Sequence, residues 1–137
     1  MTLSNETQQL LDGANFAHLV TLMPDGSPQS VPVWVGREGD RVIICTGENS
    51  LKARNTGRDP RVAISIVDFR NPYSEVQIRG HVIERRPDPD LKTMDPISTK
   101  YTGKPFPFRD PKGRVALIIE VDKEHYTKLP FEHTPPA

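Results

Sequence analysis

Val42-Ile43-Ile44-Cys45-Thr46-Gly47-Glu48-Asn49-Ser50-Leu51-Lys52-Ala53-Arg54-Asn55 reads as a strand that ends, turns and opens a helix. The first five residues are mostly β-branched and apolar. Ser50 or Asn49 supplies the oxygen that caps a short helix, and Gly57 is placed to close it. Lys52 and Arg54 fall in the first turns. Positive charge there opposes the helix macrodipole, which favours an anion at its N-terminus. Free N–H groups, a hydroxyl and two cations together make a phosphate site. The same stretch also reads as a solvated basic helix, because Arg58 and Arg61 follow.

On the N-terminal side, Ser4 caps a helix that runs through about Asp12. Leu3, Leu10, Leu11 and Ala14 lie on or near one face, with Gly13 as the stop. The period then changes to two. Phe16, His18, Val20 and Leu22 alternate with Ala17, Leu19, Thr21 and Met23. Pro24-Asp25-Gly26-Ser27 is a hairpin turn. The return strand sets Val31, Val33 and Val35 against Ser30, Pro32 and Trp34, and residues 36–40 turn again. With 41–46 these strands form an expected meander.

On the C-terminal side, Val62, Ile64 and Ile66 mark a fourth strand. Val76, Ile78, Gly80 and Val82 mark a fifth, with Glu75, Gln77, Arg79 and His81 on its other face. Leu91, Met94, Ile97 and Tyr101 have helical spacing. Val115 to Val121 is apolar on both faces and reads as a central strand. The stretch 129–137 holds three prolines and is expected to be loosely ordered.

The chain has 137 residues, enough for one domain with a real core, so 1–137 reads as a single domain. Lys+Arg and Asp+Glu are both 18, which leaves no global charge to attract nucleic acid or a membrane surface. Any anion site is therefore local. No apolar run is long enough to span a bilayer, and the first residues lack the pattern of a signal peptide. The single cysteine, Cys45, excludes an internal disulfide, fits a reducing cytoplasm and reads as a small buried hydrophobe. His18, His81, His125 and His133 show no metal-ligand spacing, so no metal is expected.

Six strands, short connections and no βαβ rhythm predict a mainly β fold, an antiparallel barrel with peripheral helices. Several strands are apolar on both faces, and there are too few helices to cover them. A homodimer is expected.

Asp25-Gly26-x-Pro28, Pro32-Val33-Trp34, Thr46-x3-Ser50-x-Lys52-x-Arg54-Asn55, Arg58-Asp59-Pro60-Arg61-Val62 and a strand ending in Gly80 occur in that order. The ordered set, over roughly 5–127, resembles the pyridoxamine 5′-phosphate oxidase-like superfamily, a six-stranded, FMN-binding split β-barrel. It is most similar to the actinobacterial branch of deazaflavin (coenzyme F420)-dependent oxidoreductases. The resemblance implies a dimer with cofactor sites at the subunit interface. It implies that Ser50 and Lys52 hold the cofactor phosphate, that Thr46 lies beside the phosphate-bearing tail, and that Val31, Pro32 and Val33 border the ring. In flavin-binding relatives an arginine commonly precedes the lysine. Leu51 stands there, and Arg54 with Asn55 resembles the deazaflavin branch. The Arg-x-His element that binds substrate in pyridoxamine phosphate oxidases is missing.

Residues 52 and 54 of one helix point to different sides, so one meets the phosphate while the other reaches a carboxylate tail or Asp59. Trp34, on the ring-binding strand, and Gln77 complete the candidate cofactor set. His18 reads as a satisfied barrel histidine. Tyr126, His125 and Lys128 follow the last strand, and either of the first two is a candidate proton donor. No residue is assigned as a nucleophile. The expected activity is hydride transfer from reduced F420 to a small conjugated organic acceptor. FMN is the alternative cofactor, and a non-catalytic cofactor-binding or storage protein the alternative function.

Overall fold

The computed structural model describes residues 1–110 and 112–137. Helix α1 (Asn5–Asp12) leads into β1 (Ala17–Leu22), β2 (Pro28–Val33), β3 (Gly36–Glu38) and β4 (Arg41–Gly47). Helix α2 (Leu51–Arg58) follows, then β5 (Arg61–Val67), β6 (Ser74–Pro87), α3 (Met94–Thr102) and β7 (Arg114–Lys128).

All the strands pair antiparallel in one unclosed sheet of order β2-β1-β5-β6-β7-β4-β3. The count is seven rather than six, because residues 36–38 pair with β4 instead of only turning. The expected meander is corrected too. β2 pairs with β1, whereas β4 pairs with β3 and β7. The two edge strands, β2 and β3, are consecutive in the chain and separated by Trp34 and Val35 alone. The sheet must therefore roll until its edges meet at that dipeptide, which is the split of the barrel.

The interior is filled by Leu19, Val35, Ile44, Ile64, Ile66, Val76, Ile78 and Ile119, and α1 adds Leu10 and Leu11. The α1 cap is as expected, with Ser4 Oγ accepting from Thr7 N at 3.2 Å and Gly13 N donating to Gln9 O. Ala14 is exposed and takes no part in the buried face. A second, smaller cluster of Ile43, Ala116 and Ile118 lies under Ile97 of α3. Strands β4 and β7 are thus apolar on both faces because one face meets the barrel interior and the other meets α3. β7 is central, as its composition predicts, but continues to Lys128. At Gly80, where the β6–β7 register shifts, a Cβ would collide with the Glu120 carbonyl. Only glycine fits that approach.

Helix α3 begins at Met94, so Leu91 precedes it, at φ 60° with its side chain 1% exposed. Its N-terminus is capped from a distance. The buried Asp88 carboxylate accepts from Thr93 N and Met94 N, both at 3.0 Å. His18 is exposed on the outer sheet face and is not a barrel-interior residue. Residues 129–137 have no regular secondary structure, and Phe131 and His133 edge against Tyr73. Among the described residues no helix is long and apolar enough to cross a membrane.

Val35 is completely buried at the split, where its peptide groups lack a strand to pair with. Helix α3 supplies the partners. Val35 N donates to Tyr101 Oη at 3.1 Å, and Lys100 Nζ donates to Val35 O. Lys100 Nζ also donates to Leu11 O at 2.8 Å, and Tyr101 Oη donates to Asn15 O at 2.6 Å. Burial pulls the Lys100 ammonium down to about 8, against the opposing pull of Asp12. Between that value and the usual lysine range, the unfolded chain holds more protons than the folded one. Lys100 titration therefore makes stability rise with pH across that window. The stability gap between the native protein and Lys100→Met is expected to widen from pH 8 to 10.5, as read by urea denaturation. A gap that narrows would show that the folded state favours the charged lysine.

Candidate functional site

A cleft of about 410 Å³ opens where β2, β4, α2, α3 and the start of β7 meet. Its lining divides by chemistry. Thr46, Lys52 and Arg114 form a polar group, and Phe16, Val33, Trp34, Met94, Ile97 and Phe106 an apolar one.

The polar group is built from turns and register. Ser50 caps α2, its Oγ accepting from Ala53 N at 3.2 Å and from Thr46 Oγ1 at 2.8 Å. The helix spans Leu51–Arg58, so Gly57 lies inside it and Asp59 is the C-cap. Arg85 donates to Ala53 O at 2.7 Å and so holds the helix from β6. Glu48 N donates to Gly113 O at 2.6 Å, which ties the turn after β4 to the turn before β7. Gly113 makes that turn at φ 74°, in the left-handed region that favours glycine. The β4–β7 ladder then sets Arg114 opposite Gly47 and Val115 opposite Thr46. Lys52 and Arg114 thereby face one cleft.

Neither of these two cations is neutralised by a carboxylate among the described ion pairs. Arg114 Nε is buried with no hydrogen-bond partner among the described residues. Burial, and secondly the Arg114 charge, lower the Lys52 ammonium below its usual range. The Arg114 guanidinium also lies 4.9 Å from the centre of the Phe106 ring. Two like charges and an orphaned donor on one wall fit an anion with several acceptor oxygens, as a phosphate has.

The apolar wall is ordered by aromatic contacts. Trp34 stacks on Tyr101 at 5.2 Å and 7°, and Phe16 lies 5.7 Å from the same ring. Cys45 borders the cleft half-buried, and burial pushes its thiol up to about 12. It is a neutral thiol at physiological pH.

The cleft brings together five of the sequence-derived candidates: Pro32, Val33, Trp34, Thr46 and Lys52. Ser50 stands one hydrogen bond behind Thr46. Val31 packs against the barrel core. Arg54 is exposed, on a different side of α2 from Lys52. Asn55 is 1% exposed and engaged within the fold: its Nδ2 donates to Thr21 Oγ1 at 3.0 Å and its Oδ1 accepts from Arg58 at 3.0 Å. Gln77 lines a separate concavity with Arg79, Lys123 and His125 on the outer face of the sheet. Tyr126 bonds Ser74 Oγ at 3.0 Å. Sequence reading missed Arg114, whose place depends on a pairing between β4 and β7 that local pattern does not reveal. Among the described residues no cluster of three or more His, Cys, Asp or Glu could hold a metal.

Removing an unpaired like charge relieves repulsion, whereas removing a cap loses a helix contact. Lys52→Met is expected to be at least as stable as the native protein by urea denaturation. Ser50→Ala is expected to lose about 1 kcal/mol. A Lys52→Met variant that loses as much as Ser50→Ala would mean that Lys52 supports the fold.

Three comparisons with known proteins bear on this site. The family model described as pyridoxamine 5′-phosphate oxidase matches residues 3–128. A solved structure named F420 reductase is 29% identical with a TM-score of 0.79, covering 86% of this chain and 94% of that one. A conserved hypothetical protein from Mycobacterium tuberculosis is 22% identical, with a TM-score of 0.77 and coverage of 98% and 94%. General stress protein 26 from Bacillus anthracis is 18% identical, with a TM-score of 0.69 and coverage of 93% and 95%. The last two show the fold alone. No protein of curated function matches. With a matching model over nearly its whole length and the same fold in these structures, the chain belongs to the pyridoxamine 5′-phosphate oxidase family, an oxidoreductase-type family whose fold binds flavin or related cofactors.

Proposed function

We propose that the cleft binds the deazaflavin cofactor F420 and that the protein is an F420H2-dependent reductase of small conjugated organic acceptors. The observation that carries this reading is the unneutralised pair Lys52 and Arg114, with the orphaned Arg114 Nε, beside an aromatic wall in one cleft. The 29% identity to a structure named F420 reductase supports the deazaflavin over FMN. Leu51 at the position where flavin-binding relatives commonly carry arginine supports it too.

In this reading Lys52 and Arg114 hold the phosphate as a point charge and a fork, respectively. Thr46 and Ser50 present hydroxyls beside it. Pro32, Val33 and Trp34 border the ring, while Met94, Ile97 and Phe106 exclude water. Arg54, on the outer side of α2, is free to meet the carboxylates of the cofactor tail. The bound reduced cofactor supplies a hydride, which with one proton from water reduces a conjugated C=C or C=O bond by two electrons and leaves the cofactor oxidised. His125 and Tyr126 do not line the cleft of their own subunit.

The outer face of β1, β5 and β6 carries half-buried Val20, Leu22 and Ala63, and among the described residues none from a helix lines the concavity there. A second copy in a cytoplasmic homodimer would cover this face. Sedimentation is expected to give a dimer at micromolar concentration, and a well-folded monomer would refute it.

Binding titration is expected to rank F420 at least about tenfold above FMN, a gap of about 1.4 kcal/mol. Lys52→Ala and Arg114→Ala are each expected to weaken F420 binding by about 1.5–3 kcal/mol, the range for hydrogen bonds to charged groups. Tight FMN binding with no measurable F420 binding would move the assignment to an FMN enzyme. Tight F420 binding without turnover of any enone or quinone would favour a storage protein.

A further inference from the structure

One side chain behind the cleft touches two of the aromatic residues that line it. Phe16 and Trp34 border the cleft, and Tyr101 of α3 does not. Ala17 pairs with Val33 in the β1–β2 ladder, so Phe16 and Trp34 are the next residues beyond that rung on the two strands. The Tyr101 ring lies nearly parallel to the Trp34 indole, at 5.2 Å and 7°. The same ring meets Phe16 at 5.7 Å, tilted by 38°.

The Tyr101 hydroxyl holds the backbone of the same two residues. Val35 N, which donates to Oη at 3.1 Å, belongs to the peptide group that joins Trp34 to Val35. Asn15 O, which accepts from Oη at 2.6 Å, belongs to the peptide group that joins Asn15 to Phe16. Each of the two cleft residues is therefore gripped twice by Tyr101, at its ring and at an adjoining peptide. Burial raises the phenol above its usual range, so it stays neutral and donates to one peptide while accepting from the other. The ring is itself flanked by Lys100, whose Nζ lies 4.8 Å from its centre. Aromatic pairs prefer particular geometries beyond the area they bury, so a fixed Tyr101 ring restricts the orientations open to Trp34 and Phe16.

We infer that Tyr101 is a positioning residue for the cleft, one that fixes the Trp34 and Phe16 rings in a single mutual arrangement and so presets the apolar wall for the ligand. In the function proposed above that ligand is F420, and this part of the inference rests on that reading, whereas the arrangement of the two rings does not. A loosely held Trp34 or Phe16 side chain has to be ordered when a ligand binds, at a cost in entropy. With Tyr101 in place, that ordering is complete in the folded protein. The hydroxyl and the ring have separable effects. The hydroxyl satisfies buried peptide groups and bears on stability, and the ring bears on the orientation of Trp34.

Trp34 is the only tryptophan, so acrylamide quenching of tryptophan fluorescence in the full-length protein reports on its ring alone. Tyr101→Leu is expected to raise the quenching constant about twofold and to weaken F420 binding about three- to tenfold. Should that variant fail to fold, Tyr101→Met takes its place with the same expectation. Tyr101→Phe keeps the stacked ring and is expected to show native quenching and F420 affinity within about twofold of native. It is still expected to lose stability to urea, because Val35 N and Asn15 O lose their partner. Val121→Ala, in the barrel core and off the cleft, is expected to lose stability and leave both readouts native. The inference is overturned if removal of the ring leaves either readout native, or if Val121→Ala moves them as far. It is also overturned if Tyr101→Phe fails to restore them, because the effect would then follow stability rather than the ring. If the native protein binds no F420, the cofactor reading fails, and Trp34 quenching across the same variants still decides the role of Tyr101.

Discussion

A rolled sheet whose two edge strands are consecutive in the chain must bury the peptide that joins them. Here that peptide group belongs to Val35, and neither edge can pair with it. A buried, unpaired N–H and C=O would cost several kcal/mol in sum. Tyr101 and Lys100 of α3 take both groups. The rest of the architecture follows from that closure. Lys100 reaches on to the end of α1, and Tyr101 reaches Asn15, so the helix that closes the split also ties down the N-terminal segment. Tyr101 then presents its face to Trp34, and the closure becomes a wall of the cleft. The barrel cannot be closed at this point without also shaping the site.

The cleft holds a tension that the fold tolerates rather than resolves. Lys52 and Arg114 face the same space, and the Lys52 ammonium is destabilised by burial and by its neighbour. Most of the other arginines are engaged within the fold. Arg37 pairs with Asp12, Arg61 with Asp59, Arg86 with Glu38 and Glu84, and Arg109 with Asp95. Arg58 and Arg85 donate to backbone carbonyls. Against that background, two cations directed at one cleft, one with a buried donor unsatisfied, are the feature that stability explains least.

Local pattern carried much of this fold. The cap at Ser4, the hairpin at residues 24–27, the cap at Ser50 and the alternation of Val62, Ile64 and Ile66 depend only on near neighbours in the chain, and the structure shows each. The non-local features were not legible. The β2–β4 meander was a natural reading of successive strands, but β4 pairs with β7, about seventy residues away. That one pairing also hides Arg114 from sequence analysis, because its opposition to Gly47 is a property of register. The doubly apolar character of β4 and β7 signalled cover on both faces without saying whether a helix or a subunit supplies it. α3 supplies it for these strands.

Helix α2 shows how a short, weakly helical segment becomes a rigid mount for one side chain. Its sequence, with Asn55, Thr56 and Gly57 in succession, has poor intrinsic propensity. Tertiary bonds compensate. Ser50 holds its start to Thr46, Arg85 holds the Ala53 carbonyl, Asn55 binds Thr21 of β1, and Arg58 donates to Leu22 O. These anchors come from three strands, β1, β4 and β6. With both ends and the middle of the helix fixed, the Lys52 backbone has little freedom, and only its side chain is left to move. Preorganisation of this kind lowers the ordering cost of binding. It also explains why Asn55, conspicuous in the sequence beside two cations, is spent on holding the helix while Lys52 alone turns from it into the cleft.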